Sequence, residues 1–159
     1  MIDFDCERYH DINDYIKLIA ILRAPDGCPW DQAQTHESIR QNCLEEAYEV
    51  CEAIDEKDPE HLKEELGDLL MQVIFHAGIE QDAGHFDFND VCDHACRKLI
   101  YRHPHVFGDR EANKGAEAAD VWEKAKRMEH SQETTADAID GVARTLPGLW
   151  RCRKMLKKA

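Results

Sequence analysis

Four acidic side chains, in two short stretches of the chain, have the types and the spacing of a cation site. Glu46 and Glu49 are three residues apart, and Glu65 and Asp68 repeat that spacing. Residues three apart on a helix lie on the same face. Carboxylate oxygens are the ligands that hard divalent cations such as Mg²⁺ prefer. The chemistry that this pattern indicates is therefore the binding of a divalent cation between two helices.

The chain between the two acidic pairs is typical of a tight turn between antiparallel helices. Asp58 can cap the second helix, and Pro59 fits its first turn, where the missing N–H costs little. Counted from Lys57, Glu49 and Glu65 are each eight residues away, and the other acidic pair is eleven away on either side. Equal separations in an antiparallel hairpin give equal heights, roughly 12 and 16 Å from the turn. We therefore expect the four carboxylates to face one another at two levels.

Apolar residues at helical spacing accompany the acids on both helices. They are Ile39, Cys43, Ala47, Val50 and Ile54 on the first helix, and Leu62, Leu66, Leu69, Val73 and Ala77 on the second. The acids fall at the edge of these stripes, where carboxylates are partly desolvated and repel one another unless a cation lies between them. A solvated acidic surface is the ordinary alternative, but the matched heights favour a metal site.

Composition limits the classes of function. The chain of 159 residues fits one domain, and its net charge of −13 excludes duplex nucleic acid and anionic membranes as expected partners. Residues 45–68 hold eleven acids against two lysines, a charge of −9. Seven cysteines without a C-x-x-C pair favour neither a disulfide framework nor a zinc knuckle. With no signal peptide or membrane-spanning run, we expect a cytoplasmic protein.

The rest of the chain also has the period of helices, and nothing in it indicates a strand. Helices are predicted from residue 12 to 22, from 87 to 102 and from 116 to 128, with a turn-rich loop at 25–34. Residues 131–145 are polar and predict a linker, and the segment from 144 onward holds six Lys/Arg and no acid. We predict an all-α helical bundle around the acidic hairpin, with a domain at 1–130 and a linker and basic C-terminal helix at 131–159.

The acidic residues belong to a larger set of motifs. Glu45-Glu46-x-x-Glu49 is followed by Glu65-x-x-Asp68. The other motifs are Cys28-Pro29-Trp30-Asp31, Thr35-His36, the run 64–70, the run 102–108 and Leu146-Pro147 with its basic continuation. Together they resemble the MazG-type nucleoside triphosphate pyrophosphohydrolases over nearly the whole chain. Longer members carry a second similar domain after the basic segment, so the chain is similar to their N-terminal domain.

The resemblance implies hydrolysis of nucleoside triphosphates to a monophosphate and pyrophosphate with Mg²⁺, or with Mn²⁺ as the alternative ion. The implied metal ligands are Glu46, Glu49, Glu65 and Asp68, and the implied catalytic residues are Glu45, Glu46 and Glu49, with Glu45 orienting the attacking water. The implied substrate contacts are Asn42, Lys98, Arg102 and Lys126 as polar or phosphate-binding groups, and Trp122 or Trp30 as a surface for the base. For Trp30 and Trp122, packing is the ordinary alternative, and a solvated lysine is the alternative for Lys126.

Other classes stay open at this point. His10-Asp11 is weak evidence for an HD-type phosphohydrolase, and a di-iron carboxylate bundle would need Glu-x-x-His pairs that the acidic helices lack. A weakly active or inactive half that serves in dimerisation or regulation is the stronger alternative, since metal ligands can persist where activity is low. The exposed hairpin and the basic C-terminal helix predict a homodimer or a higher homo-oligomer.

Overall fold

The computed structural model describes residues 4–109, 115–132 and 134–159. Within these ranges every regular element is a helix, which confirms the predicted all-α fold. The helices are α1 (Ile12–Arg23), α2 (Pro29–Gln32), α3 (His36–Glu56), α4 (Pro59–Asp82), α5 (Phe88–Arg102), α6 (Pro104–Phe107), α7 (Gly115–Glu129), α8 (Thr135–Asp140) and α9 (Gly148–Leu156). None of these helices is both long and apolar enough to cross a bilayer.

The chain forms two compact units, residues 1–93 and residues 94–159. This division lies inside α5 and differs from the domain boundary expected at residue 130, which stays a prediction. The predicted linker at 131–145 contains α8, in which Ala138 is buried, and Val142 just beyond the helix is buried too. Position 133 lies outside the described residues. The linker prediction missed α8 because a helix of six residues is too short to show a period.

The hairpin of α3 and α4 forms as the sequence predicts. Thr35 caps α3, and its side chain accepts a hydrogen bond from the backbone N–H of Ser38. Lys57 ends α3 in the left-handed conformation at φ 59°, which reverses the chain. Asp58 then caps α4 by accepting from the first backbone N–H groups, and Pro59 is the first residue of that helix. Local side-chain chemistry alone therefore fixes the turn that sets the register of the two helices.

The core of the first unit lies where α1 packs on the hairpin. Ile19 of α1, Ile39 of α3, and Ile74 and Phe75 of α4 are buried together. Partly buried apolar side chains surround them, among them Tyr15, Leu22, Leu70 and Ile79. This core is at the end of the hairpin away from the turn, so the half that carries the acids has fewer buried apolar contacts.

The apolar stripes predicted on the hairpin are only partly buried. Ile39 and Ala77 are buried, but Leu66 is 50 % exposed, Val73 41 % and Ile54 54 %. The face of α4 that is buried instead includes Glu65 and Gln72. The prediction was wrong for these positions because it assigned every apolar residue to one core. These apolar side chains are therefore largely exposed to solvent.

The second unit is a smaller assembly of short helices. Ala125 of α7 is buried, and α6 contacts α7. Lys158, just beyond α9, forms an ion pair with Glu123 of α7 at 3.5 Å. The basic C-terminal segment therefore packs within its own unit along α7.

Candidate metal centre

Three carboxylates of the hairpin lie together as the spacing predicts. Glu46 and Glu49 of α3 and Glu65 of α4 each offer an oxygen, and these oxygens lie within 4.8 Å of one another. We call these three residues the acidic cluster. The residues of the cluster could hold a metal ion, since several carboxylate oxygens at this separation suit a hard divalent cation.

Asp68, the fourth predicted ligand, lies outside that group of three but acts on it electrostatically. Glu65 is only 9 % exposed and Glu46 is half-buried. The pKa of Glu46 is raised, first by burial and then by the negative charges of Asp68 and Glu49. The carboxylates thus repel one another in a partly desolvated position, and a bound cation would relieve this repulsion.

His61 supports the acidic cluster, and the sequence analysis did not single it out as a site residue. Its Nε2 lies 3.1 Å from Glu65 Oε1, and its Nδ1 lies 3.0 Å from Glu56 Oε2. The hydrogen bond to Glu56 is the main cause that raises the pKa of His61. The ring joins the end of α3 to the buried carboxylate of α4 and limits the orientations of that carboxylate. The four-residue separation of His61 and Glu65 was the available signal.

Tyr15 of α1 is a second residue that the sequence did not indicate. Its hydroxyl donates a hydrogen bond to the carbonyl oxygen of Gly67 at 3.2 Å. The pKa of Tyr15 is raised by burial, with further contributions from the charges of Asp68 and Glu46. The phenol therefore lies close enough to the acids to sense their charge, although the two residues in contact are 52 positions apart in the chain.

The remaining predicted residues of the first unit lie on the same helix or near it. Asn42 is half-buried on α3, and Glu45, adjacent to Glu46, is exposed. Trp30 on α2 is 61 % exposed, and its carbonyl accepts a hydrogen bond from Gln34. A tryptophan exposed to this extent is not a packing anchor within the described chain, so its ring is available for contact.

The other predicted substrate contacts lie in the second unit, around Trp122. The Arg102 guanidinium carbon is 5.3 Å from the centre of the Trp122 ring, and Lys126 Nζ is 4.8 Å from it. Arg102 is buried and donates from Nε to Glu129 at 2.6 Å. Lys98 is half-buried on α5, the helix that ends at Arg102. Two cations therefore already contact the indole ring, in an arrangement that packing and cation–π attraction explain without a ligand.

An all-α hairpin that presents clustered carboxylates defines the class: a helical protein with a candidate divalent-cation site. Residues 34–107 match the family model of the MazG nucleotide pyrophosphohydrolase domain, and this range includes the whole acidic cluster. This region is therefore similar to a MazG domain, which confirms the resemblance found in the motifs.

Curated relatives agree with this assignment. The chain is 43 % identical over 150 residues to the nucleoside triphosphate pyrophosphohydrolase of Escherichia coli K12, covering 94 % of this chain and 57 % of the relative. It is 40 % identical over 146 residues to the nucleoside triphosphate pyrophosphohydrolase/pyrophosphatase MazG of Thermotoga maritima, covering 92 % of this chain and 55 % of the relative. The chain thus spans a little over half the length of these two relatives.

A solved structure has a similar fold. The crystal structure of a mazG-related protein from Thermotoga maritima aligns with a TM-score of 0.60 at 25 % sequence identity. The alignment covers 73 % of this chain and 99 % of that protein. The two proteins therefore have similar helical folds over the aligned part of the chain.

Proposed function

We propose that the protein hydrolyses nucleoside triphosphates to a nucleoside monophosphate and pyrophosphate in a reaction that depends on Mg²⁺. The observation that carries this proposal is the acidic cluster, in which three carboxylate oxygens from two helices lie within 4.8 Å. The names of the relatives from Escherichia coli and Thermotoga maritima support the reaction class. Because the chain covers only part of those relatives, we assign their activity to this chain only as a proposal.

The donor set fits Mg²⁺, with Mn²⁺ as the alternative. Glu46, Glu49 and Glu65 would hold the ion, and Asp68 would be a fourth ligand or bind a ligand water. All four are oxygen donors, which a small hard cation prefers to nitrogen or sulfur. When bound, the ion would offset the charge of the triphosphate and lower the pKa of a bound water.

Side chains near the acidic cluster would position the reactants. Glu45 is exposed on α3 next to the ligand Glu46, and we assign it the orientation of the attacking water as a hydrogen-bond acceptor. Asn42, one turn before Glu46, would contact the substrate through its amide. Trp30, 61 % exposed on α2, would offer an indole face to the base.

The phosphate-binding roles of the second unit follow from charge. Burial lowers the pKa of Lys126, and the nearby cations Lys158 and Arg102 lower it further against the opposing effect of Glu123. An anionic phosphate would relieve this repulsion, so Lys126 is the strongest candidate. Arg102 already binds Glu129, and we assign it mainly to holding Trp122 and Lys126 in place. Lys98 would add a further charge, and Trp122 could stack on a base only if Lys126 moved from its ring.

A product assay tests the reaction. The purified chain is incubated with each common nucleoside triphosphate and Mg²⁺, and monophosphate and pyrophosphate are separated by ion-exchange chromatography. We expect the two products in equal amounts and none without metal. Release of single phosphates would point instead to another class of hydrolase.

The same assay decides between the enzyme and its main alternative. A MazG-like half that serves only in dimerisation or regulation would still bind nucleotide or metal but would release no pyrophosphate. Absence of pyrophosphate at high protein concentration, with the helical circular dichroism intact, would favour that alternative. Glu65→Gln is the matched control, since it removes one ligand charge while keeping the shape of the side chain.

We also propose a homodimer formed through the exposed apolar residues of the hairpin. These residues are Leu44, Tyr48, Ile54, Leu66 and Val73, all between 41 % and 56 % exposed. Several exposed apolar side chains on one helical hairpin are typical of an interaction surface. A second copy is the simplest partner, because this symmetric contact would also cover the half of the hairpin that lacks its own core.

Light scattering with two variants tests the dimer. Leu66→Asp places a charge in the hairpin face, and Leu149→Asp places one on the C-terminal helix, where Leu149 is 87 % exposed. We expect twice the chain mass for the wild type and for Leu149→Asp, and the mass of one chain for Leu66→Asp. A monomeric wild type would contradict the dimer, and loss of the dimer only in Leu149→Asp would move the interface to α9.

The cytoplasmic location inferred from the sequence stays a proposal. All seven cysteines are free thiols, the state that a reducing compartment maintains. Labelling of intact and permeabilised cells with a membrane-impermeant thiol reagent would test it.

A further inference from the structure

A second polar cluster joins α3 and α4 at the end of the hairpin away from the turn. Cys43 Sγ lies 3.3 Å from His76 Nε2, and His76 Nδ1 lies 2.7 Å from His36 Nδ1. His36 Nε2 continues the series to Glu80 Oε1 at 2.6 Å, and the other Glu80 oxygen lies 2.6 Å from His85 Nδ1. We call these five side chains the histidine chain. Nothing in the proposed hydrolysis uses them.

The hydrogen bonds fix which ring nitrogens carry protons. The carboxylate of Glu80 can only accept, so His36 Nε2 donates to it. In a neutral ring the other nitrogen is then an acceptor, and His36 Nδ1 must receive the proton of His76 Nδ1. His76 Nε2 is left with a lone pair, and it points toward the sulfur of Cys43 at 3.3 Å. The histidine chain therefore presents the unprotonated Nε2 of His76 next to the thiol of Cys43.

This arrangement has the features of a metal-ligating histidine with its supporting residues. A ligating imidazole almost always donates its other N–H to a hydrogen-bond acceptor that fixes its orientation. Here that acceptor is His36, which Glu80 holds in turn. Burial and the neighbouring His36 lower the pKa of His76, so the ring stays neutral and able to bind a cation. The rings of His36 and His76 are stacked, with 5.0 Å between their centres, which further restricts their rotation.

The two donor atoms are also close to the separation that a zinc ion requires. With Zn–S of about 2.3 Å and Zn–N of about 2.05 Å, a tetrahedral ion holds sulfur and nitrogen about 3.6 Å apart. The distance from Cys43 Sγ to His76 Nε2 is 3.3 Å, so a small widening would admit the ion. Cys43 and His76 are both half-buried, which leaves solvent access to the site.

We propose that Cys43 Sγ and His76 Nε2 bind a borderline transition-metal ion such as Zn²⁺ at a second site, separate from the acidic cluster. On binding, the sulfur exchanges its proton for the ion, the proton passes to solvent, and the imidazole lone pair forms the second bond. Water fills the other positions, so we expect weaker binding than in zinc sites with three or four protein ligands. Sulfur and nitrogen donors select this class of ion over Mg²⁺. The inference does not depend on the proposed hydrolysis.

Cobalt titration tests the site with a spectroscopic signal of its own. Co²⁺ substitutes for Zn²⁺ at such sites, and a cobalt–thiolate bond gives a near-ultraviolet charge-transfer band that carboxylate or imidazole ligands do not give. The titration is done on the full chain in which the five exposed cysteines are replaced by serine, leaving Cys28 and Cys43. We expect the band to saturate near one Co²⁺ per chain and to persist in excess Mg²⁺.

Matched variants in the same background assign the band to its ligands. Cys43→Ser should abolish it, and Cys28→Ser, which removes the other half-buried thiol, should leave it unchanged. His76→Gln should raise the Co²⁺ dissociation constant more than about 10-fold. Glu65→Gln should leave the band intact, because it changes only the acidic cluster.

His36 is a positioning residue in this proposal, and its variant separates ligation from support. His36→Phe should keep the charge-transfer band, since the thiolate bond remains, but should weaken Co²⁺ binding roughly 10-fold. No band in a folded protein, or a band that survives Cys43→Ser, would overturn the proposal and leave the histidine chain as a structural hydrogen-bond network. Circular dichroism of each variant confirms that the helices are intact.

Discussion

The two ends of the α3–α4 hairpin hold polar groups in opposite ways. Near the turn, the acidic cluster gathers like charges that nothing in the described chain neutralises fully, and the pKa of Glu46 rises in response. At the far end, the histidine chain alternates donors and acceptors, and the pKa of Glu80 falls because His85 and His36 donate to it. The acidic cluster would be stabilised by an added positive charge, whereas the side chains of the histidine chain already form hydrogen bonds with one another.

Under the two proposals, one hairpin would offer sites to two classes of cation. All the donors of the acidic cluster are oxygens, which favour Mg²⁺ or Mn²⁺. Cys43 and His76 offer sulfur and nitrogen, which favour zinc-like ions. The core residues Ile39 and Ile74 lie toward the second end, so that end is also the more rigidly packed of the two. The following variants test whether the two ends differ in this way.

Turnover should depend most strongly on the acidic end. Glu65→Gln should lower kcat/KM for nucleoside triphosphates more than about 100-fold, since even residues that only orient metal ligands typically contribute 10–100-fold. Asp68→Asn should cost less, because Asp68 lies outside the group of three oxygens within 4.8 Å. Steady-state release of pyrophosphate measures both. Equal losses would place Asp68 among the direct ligands, and unchanged turnover in Glu65→Gln would remove the cluster from the reaction.

The rise in Tm on addition of Mg²⁺ should also distinguish the two ends. Mg²⁺ at 100 times its dissociation constant would stabilise the folded state by about 2.7 kcal/mol, which corresponds to a rise of roughly 5–10 °C in Tm. We expect this rise in the wild type and in His36→Phe, but not in Glu65→Gln. Scanning calorimetry with and without EDTA is the measurement. A Tm that does not respond to millimolar Mg²⁺ would contradict binding at the acidic end.

The smallest effect is on the free energy of unfolding of the metal-free protein. Its dependence on pH should have opposite signs for the two ends of the hairpin. The pKa of Glu46 is raised above its ordinary value of 4.5, so the folded state takes up this proton first as the pH falls. The free energy of unfolding therefore increases as the pH falls from the raised pKa to 4.5. The pKa of His76 is lowered from 6.5, so the unfolded state takes up that proton first, and the free energy of unfolding decreases as the pH falls from 6.5 toward the lowered value.

Urea unfolding across mildly acidic pH measures both contributions. Glu46→Gln should remove the gain in stability, so that its midpoint falls more steeply with acid than that of the wild type. His76→Gln should remove the loss and make the midpoint flatter or rising. Parallel profiles for all three proteins would show that neither group contributes.

The acidic end could be predicted from sequence because every determinant is local. Asp58 and Pro59 define the turn, and the equal offsets of Glu49 and Glu65 from Lys57 place their carboxylates at one height. The roles of these residues stay predictions, but their proximity follows from helix geometry. Asp68 is not among the three residues whose oxygens lie within 4.8 Å of one another, although its charge adds to burial in raising the pKa of Glu46.

The far end could not be predicted in the same way. His36 contacts His76 and Glu80 across 40 and 44 residues of chain, and the sequence gives no measure of how closely those helices approach there. The four-residue separation of His76 and Glu80 was a weak signal on its own. The exposure of Leu66 likewise could not be predicted, because periodicity identifies an apolar face but not what covers it.

The hydrogen bond from Tyr15 to the carbonyl of Gly67 has a practical consequence. A phenol changes its ultraviolet absorbance when it ionises, and the pKa of Tyr15 is raised first by burial and then by the charges of Asp68 and Glu46. Any divalent ion seated among those acids would cancel part of that field and shift the alkaline titration of this one ring toward lower pH. The ultraviolet titration of Tyr15 would therefore report the binding of a divalent ion without a label or a substrate.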